Sequence, residues 1–191
     1  MTTDGTPPEG KPPAPKPPPP KPAAPGKPDL SLPVPNAALD ALSEAMGDAV
    51  EEVTWFAGGV SVRVAPERLI EVLSFLRDDP RSRMNLLSDL CGAHFPADEK
   101  GFEVMYHLYS IPNNLRIRVK VRVDEQTPVA TVIPLWATAN WHEREVFDLF
   151  GVRFEGHPDL TRILLPDDWK GHPLRKEYPL EGFTEQHPRF R

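Results

Sequence analysis

Four histidines (His142, His157, His172 and His187) and three carboxylates (Glu143, Glu145 and Asp148) stand close together in the last third of this chain. They are its densest set of groups able to hold a metal or move protons. His142-Glu143 resembles the start of a zinc-protease helix, but that motif needs a second histidine four residues on so that both face one ion, and position 146 is Val. His157 and His172 lie in Gly-His-Pro triplets, where an imidazole is expected to bond backbone in a tight turn rather than ligate. Catalytic zinc takes its ligands from rigid elements. Glu143, Glu145 and Asp148 could act as general acid and base. Their spacing, however, spreads them around more than half of one helix, with Arg144 beside them, so ion pairing is the expected role. The single cysteine, Cys91, sits in an apolar context and is read as a small buried residue. It excludes an intrachain disulfide and an all-cysteine metal or iron–sulfur site built from this chain alone. Neither GxGxxG nor GxxxxGK[ST] occurs. The chemistry-bearing residues do not assemble into a catalyst.

The elements that would position these residues are read from periodicity. Asn36 is placed to cap a helix with Leu39, Leu42 and Met46 on one stripe and Gly47 as its stop. Val50–Phe56 and Val60–Val64 read as strands joined through Ala57-Gly58-Gly59. Pro66 opens a helix with a broad stripe of Leu69, Ile70, Val72, Leu73 and Leu76, which Asp79-Pro80 stops. The stretch 86–95 reads as a helical turn leading into a short strand that holds Cys91. Phe102–Ile111 and Arg116–Val123 form a hairpin about Pro112-Asn113-Asn114. In the second strand Ile117, Val119, Val121 and Val123 alternate with Arg116, Arg118, Lys120 and Arg122, giving one buried face and one cationic face. The cationic face is either solvated surface or a dock for an acidic neighbour. A last helix spans Asn140 to Phe150, with Asn140 as cap, Glu143 reaching back to it, an Arg144–Asp148 pair and a left-handed Gly151. The fold class expected is α+β: a two-layer sandwich of helices on a small mixed or antiparallel sheet, followed by an extended irregular C-terminal segment.

Three regions follow: a proline- and lysine-rich arm over 1–35, the α+β domain over 36–151, and the segment 152–191. The arm holds 14 of the 25 prolines, too polar and stiff to build a core, and reads as a solvated tether in polyproline II conformations rather than as a PxxP ligand. Net charge is −6, of which the arm carries +1. An acidic body argues against nucleic acid as a partner. Apolar residues make up 39% and mean hydropathy is −0.42, and no window reaches the ~20 apolar residues of a membrane span. No apolar leader follows Met1, so a cytoplasmic location is expected. The C-terminal segment offers apolar anchors, Arg162, Arg175 and Lys176 for carboxylates, and prolines that stiffen its path. A run of roughly 40 residues without periodicity is long for a compact domain, and it points to a docking segment completed by a partner.

One long pattern carries a family resemblance. The run Glu143-Arg144-Glu145-x-x-Asp148-Leu149-Phe150-Gly151-Val152-x-Phe154-x-Gly156-His157-Pro158-Asp159-Leu160-x-Arg162-Ile163-Leu164 resembles the C subunit of proton-translocating NADH-quinone oxidoreductase, the thirty-kilodalton subunit of respiratory complex I. Pro166-x-Asp168-Trp169-x-Gly171-His172-Pro173-Leu174-Arg175-Lys176-x-Tyr178-Pro179 continues the likeness. So do Pro66-Glu67-Arg68-Leu69, Leu86-x-Ser88-Asp89-Leu90 and Arg118-Val119-Lys120-Val121 upstream. The resemblance covers about 36–180, with Thr161 standing where Arg is usual and Glu177 where Asp is usual.

The resemblance implies a non-catalytic subunit in the hydrophilic arm of a proton-pumping enzyme. No catalytic residue, cofactor or metal is expected in this chain, because FMN, the iron–sulfur clusters and quinone are held by other subunits. It implies docking on the D subunit, near the quinone module that the B subunit helps to form, with the signature residues serving the interface. Membrane attachment would be indirect, on the cytoplasmic side of a bacterial inner membrane. The corresponding subunit of a related membrane-bound hydrogenase, or of another ion-pumping oxidoreductase, is the alternative.

Overall fold

The computed structural model describes residues 33–180. The proline-rich arm falls almost wholly outside them, as does His187. Three helices and a five-stranded mixed sheet make an α+β fold. Helix α1 (Ala37–Met46) is capped as its sequence predicts: Asn36 Oδ1 accepts from the N–H groups of Ala38 and Leu39, at 3.1 and 3.2 Å. The Asn36 amide also donates to Arg116 O at 2.9 Å, tying the helix entry to the sheet. Gly47 does not stop the helix by a left-handed turn. Its φ is −58°, and the chain tightens instead into a 3-10 turn over Gly47–Ala49.

Strands β1 (Val50–Phe56) and β2 (Gly59–Val64) form the first hairpin, with Ala57 and Gly58 both at positive φ in the turn. A 3-10 turn, Pro66–Arg68, leads into α2 (Leu69–Asp78), which buries Leu69, Val72, Leu73 and Leu76 and leaves Ile70 only half-buried. Then come β3 (Leu86–His94), β4 (Phe102–Ser110) and β5 (Leu115–Val123). The strand order is β1-β2-β5-β4-β3; β2 and β5 run parallel and the other pairs antiparallel.

The expected helical turn at the start of 86–95 is absent, and the whole stretch to His94 is strand. A bulge between Leu87 and Asp89 is the reason. It inserts one residue, so Leu87 and Leu90 both reach the core at a spacing of three, which imitates a helix. Val62, Val104, Tyr106, Val119 and Val121 pack with the helices into one apolar cluster.

The opposite sheet face is polar, and its cations are already answered within the chain. Glu103, buried on β4, takes Lys120 Nζ and Arg122 Nε, each at 3.1 Å. Arg122 also reaches Asp98 at 2.8 Å, Arg118 donates to Ser61 Oγ at 3.1 Å, and the Arg116 guanidinium lies 4.5 Å from the Tyr109 ring centre. Glu103 of β4 is thus an acidic neighbour within the chain for two of the four alternating cations, Lys120 and Arg122.

Helix α3 (Ala139–Phe150) covers β3, where Gly92 leaves room for it: a methyl there would stand 2.8 Å from the Phe150 ring and 3.2 Å from Val146. Two short strands, β6 (Val129–Ala130) and β7 (Phe154–Glu155), pair in parallel and flank this helix in sequence. From Gly156 to Leu180 there is no helix or strand. Among the described residues, no helix is long and apolar enough to cross a membrane.

Candidate functional site

Asp148 and Gly151 at the end of α3 organise the C-terminal segment. An α-helix ends with four carbonyls that lack intrahelical donors. Here the segment supplies them. Gly151 N–H returns to Phe147 O at 2.8 Å in the left-handed turn that its φ of +81° permits. His172 Nδ1–H donates to Asp148 O at 2.9 Å, Leu174 N–H to Leu149 O at 3.1 Å, and Arg175 Nε to Phe150 O at 2.7 Å. A cation at a helix C-terminus is also favoured by the axial dipole, and Arg175 occupies that place.

The Asp148 side chain is the second fastening. It is 0% exposed, and its Oδ1 accepts Arg162 Nη1 at 2.7 Å. Its Oδ2 accepts the successive N–H groups of Ile163, Leu164 and Leu165, at 3.1, 2.8 and 2.9 Å. Burial alone would raise this carboxyl, but the Leu165 N–H, the Arg162 guanidinium and the Leu164 and Ile163 N–H groups together hold it below its ordinary value. Arg162 extends the link, donating from Nη2 to Trp169 O at 3.0 Å and Gly171 O at 3.1 Å. One ion pair thus gathers helix, turn and strap.

The predicted Arg144–Asp148 pair does not form. Arg144 instead donates to Thr161 O at 3.1 Å and Arg162 O at 2.8 Å, so both side chains are spent on the segment rather than on each other. Thr161 contributes only its carbonyl to this bond. Asn140 is not the helix cap either: Thr138 precedes the first helical residue, and no side chain caps that end.

Glu143 turns away from the helix start, fully buried. Its Oε2 accepts from Thr131 Oγ1 at 2.6 Å and its Oε1 from Val132 N–H at 2.7 Å. Burial outweighs those two bonds and pushes its pKa up to about 7. Glu145 is exposed. The three carboxylates therefore have three different surroundings and share no acid–base centre.

His157 is spent on backbone, as the Gly-His-Pro context predicts. It donates from Nε2 to Asn140 O at 3.2 Å and accepts the Asp159 N–H on Nδ1 at 3.0 Å. Phe154 is buried on β7, while Gly156 and Gly171 occupy left-handed turns at φ +81° and +77°. Trp169, Pro173 and Tyr178 are half-buried; Pro158, Asp159, Asp168, Lys176 and Pro179 are exposed. Four contributors gave no signal in the sequence. Glu125 meets Arg175 Nη1 at 2.6 Å across 50 positions, His94 Nδ1 accepts the Lys176 N–H at 3.0 Å, and Thr131 with Val132 holds Glu143.

Asp148, Arg162, His172 and Arg175 turn inward, and beside the exposed Asp159, Asp168 and Lys176 stand exposed apolar side chains. Trp141 is 61% exposed, Leu164 60% and Leu174 49%. An open cleft of about 700 Å³ runs beside Leu174, lined by Gly92, Phe95, Pro96, Phe150 and Lys176. The arrangement has the makings of an interaction surface: a rigid polar under-layer and unsatisfied apolar anchors above it.

Comparison with known proteins agrees with that character. The family of the respiratory-chain NADH dehydrogenase 30 kDa subunit matches residues 62–184. The chain is 52% identical over 143 residues to the NADH-quinone oxidoreductase C subunit of Roseiflexus sp. (strain RS-1), covering 74% of this chain and 82% of that one. To the C subunit of Methylobacterium sp. (strain 4-46) it is 48% identical over 149 residues, covering 78% and 69%. To the C 2 subunit of Rhizobium etli (strain CIAT 652) it is 43% identical over 146 residues, covering 76% and 78%.

Proposed function

The chain belongs to the family of the respiratory-chain NADH dehydrogenase 30 kDa subunit, and from that premise we propose that it is a non-catalytic structural subunit of a proton-translocating NADH-quinone oxidoreductase. It docks on the D subunit, beside the module that the D and B subunits form around quinone, and makes further contacts within the hydrophilic arm. Electrons pass from NADH through FMN and iron–sulfur clusters held by other subunits, and this chain keeps the modules in register. It is attached to the membrane through its partners, peripherally and on the cytoplasmic face. Its own residues take no catalytic part.

The observation that supports this reading is the division of labour in the C-terminal segment. Asp148, Arg162, His172 and Arg175 bond backbone and each other within the chain, while Leu164 and Leu174 on the same segment face out. Apolar side chains held outward on a stiffened path lose little entropy when a partner covers them.

The double substitution Leu164→Glu with Leu174→Glu tests it. Both side chains are exposed, so the purified variant keeps the melting temperature of the parent within the ordinary scatter of surface changes. Tagged and recovered from native membranes in mild detergent, it brings down much less of the B and D subunits, and the NADH:quinone activity recovered with it falls in step. Normal recovery of both partners would contradict the docking role.

A further inference from the structure

The polar face of the sheet carries a cluster that the fastening of the C-terminal segment does not use. Asp89 and Cys91 are two residues apart on β3 and point to the same face, and His107 lies directly across from Asp89 on β4. One ligand atom from each falls within 4.8 Å of the others. Cys91 Sγ and His107 Nε2 are 3.8 Å apart. With Zn–S near 2.3 Å and Zn–N near 2.0–2.1 Å, two such ligands at a tetrahedral angle stand about 3.6 Å apart. The observed gap closes with a small side-chain movement.

We infer that Asp89, Cys91 and His107 form a binding site for one borderline-soft divalent cation, with zinc(II) the ion whose ligand preferences the set fits best. Thiolate and imidazole select against magnesium and calcium, which require oxygen ligands. A thiolate and a carboxylate balance the two positive charges of the ion; binding releases the thiol proton to solvent. Three protein ligands leave a fourth position to water, and the exposure of Asp89 gives the ion a way in. His142 on α3 stands beyond the carboxylate, its Nδ1 3.7 Å from Asp89 Oδ1. The carboxylates of Asp89, Glu145 and Glu103 act on the thiol, while Arg118 opposes them there and Arg118 with Lys120 acts on His107. Arg118, directly across from His107 on β5, donates to Ser61 Oγ at 3.1 Å.

Of the histidines in the C-terminal third, only His142 stands beside this site. His157 and His172 hold backbone there, so neither competes for the ion.

Cobalt(II) titration of the purified full-length chain tests the site, because thiolate coordination gives a charge-transfer absorption that oxygen or imidazole ligation alone does not. The expected result is a band that saturates at about one equivalent and is displaced by zinc(II). Cys91→Ser abolishes it, and His107→Gln weakens the binding by at least about tenfold, the lower range for disturbing a metal's surroundings. Circular dichroism of both variants separates loss of the site from loss of the fold, and either variant alone is sufficient if the other does not fold. Absence of the band in the parent chain overturns the inference, as does a band or a zinc affinity unchanged in both variants.

Discussion

The sheet domain and the C-terminal segment are held by different physics. In the domain, Leu42, Leu69, Leu73 and Leu76 close over Val62, Val119 and Val121, all essentially removed from water, and stability follows from apolar burial. In the segment from Gly156 to Leu180, no large apolar side chain is fully buried. Its order comes from polar groups that complete the end of α3 and from one buried carboxylate with four donors. Apolar burial is tolerant of path and polar fastening is not. The segment therefore leaves Leu164 and Leu174 for an outer surface while its backbone is fixed from below.

This contrast breaks first on the domain side. Leu73→Ala removes a fully buried side chain from α2 and costs about 2–5 kcal/mol of global stability. Denaturant unfolding should register it as a lower midpoint for the whole domain. The fastening side breaks locally instead. Asp148→Ala strands Arg162 and orphans three N–H groups, at a cost of about 3 kcal/mol. Limited proteolysis should then cut within 156–178 before the sheet domain unfolds, whereas Leu73→Ala should show no such early cut.

A pH experiment sharpens the difference within α3 itself. The Glu143 carboxyl, at about 7 when folded, titrates near 4.3 in an unfolded chain. Between those values the folded state holds a proton that the unfolded state has lost. Its contribution is therefore intact below about pH 4 and is lost as pH rises toward 7, in total on the order of 3 kcal/mol. Denaturation of Glu143→Gln, which cannot ionise, should lack this loss between pH 5 and 8. Asp148 has the opposite sign, because its folded value is lowered: its stabilisation is present above about pH 4 and fades in acid.

Gly151→Ala gives the smallest effect, about 1–2 kcal/mol, because a side chain at φ +81° is strained. Its methyl would also stand 2.5 Å from Arg175 Nη2 and 2.6 Å from His172 Nε2. Calorimetry should show the drop in melting temperature, with the loss concentrated in the strap.

Most of the domain is legible in the sequence, and the reasons are local. Asn36 announces its helix because a cap is a contact with the next three residues, and β5 declares its two faces because alternation survives wherever a strand is regular. Leu87 to Leu90 misleads because a bulge shifts the phase. The fastenings were legible only as residue types. Arg144 and Asp148 sit at a spacing that pairs on an isolated helix, and nothing local says that backbone from 161 to 165 will outbid each for the other. Glu143 likewise reads as part of a capping box until β6 brings Thr131 and Val132 beside it. Long-range polar partners leave no periodicity. The family resemblance carries the family assignment independently of any of them.

Hydrogen exchange at the amides of Ile163, Leu164 and Leu165 in the isolated full-length chain decides most directly whether the segment is fastened within this chain. Protection of all three, approaching that of the α3 interior and lost in Asp148→Ala, is the expected result. Exchange at the rate of an open chain in the parent protein would contradict it, and would mean that the segment is ordered only by its partners.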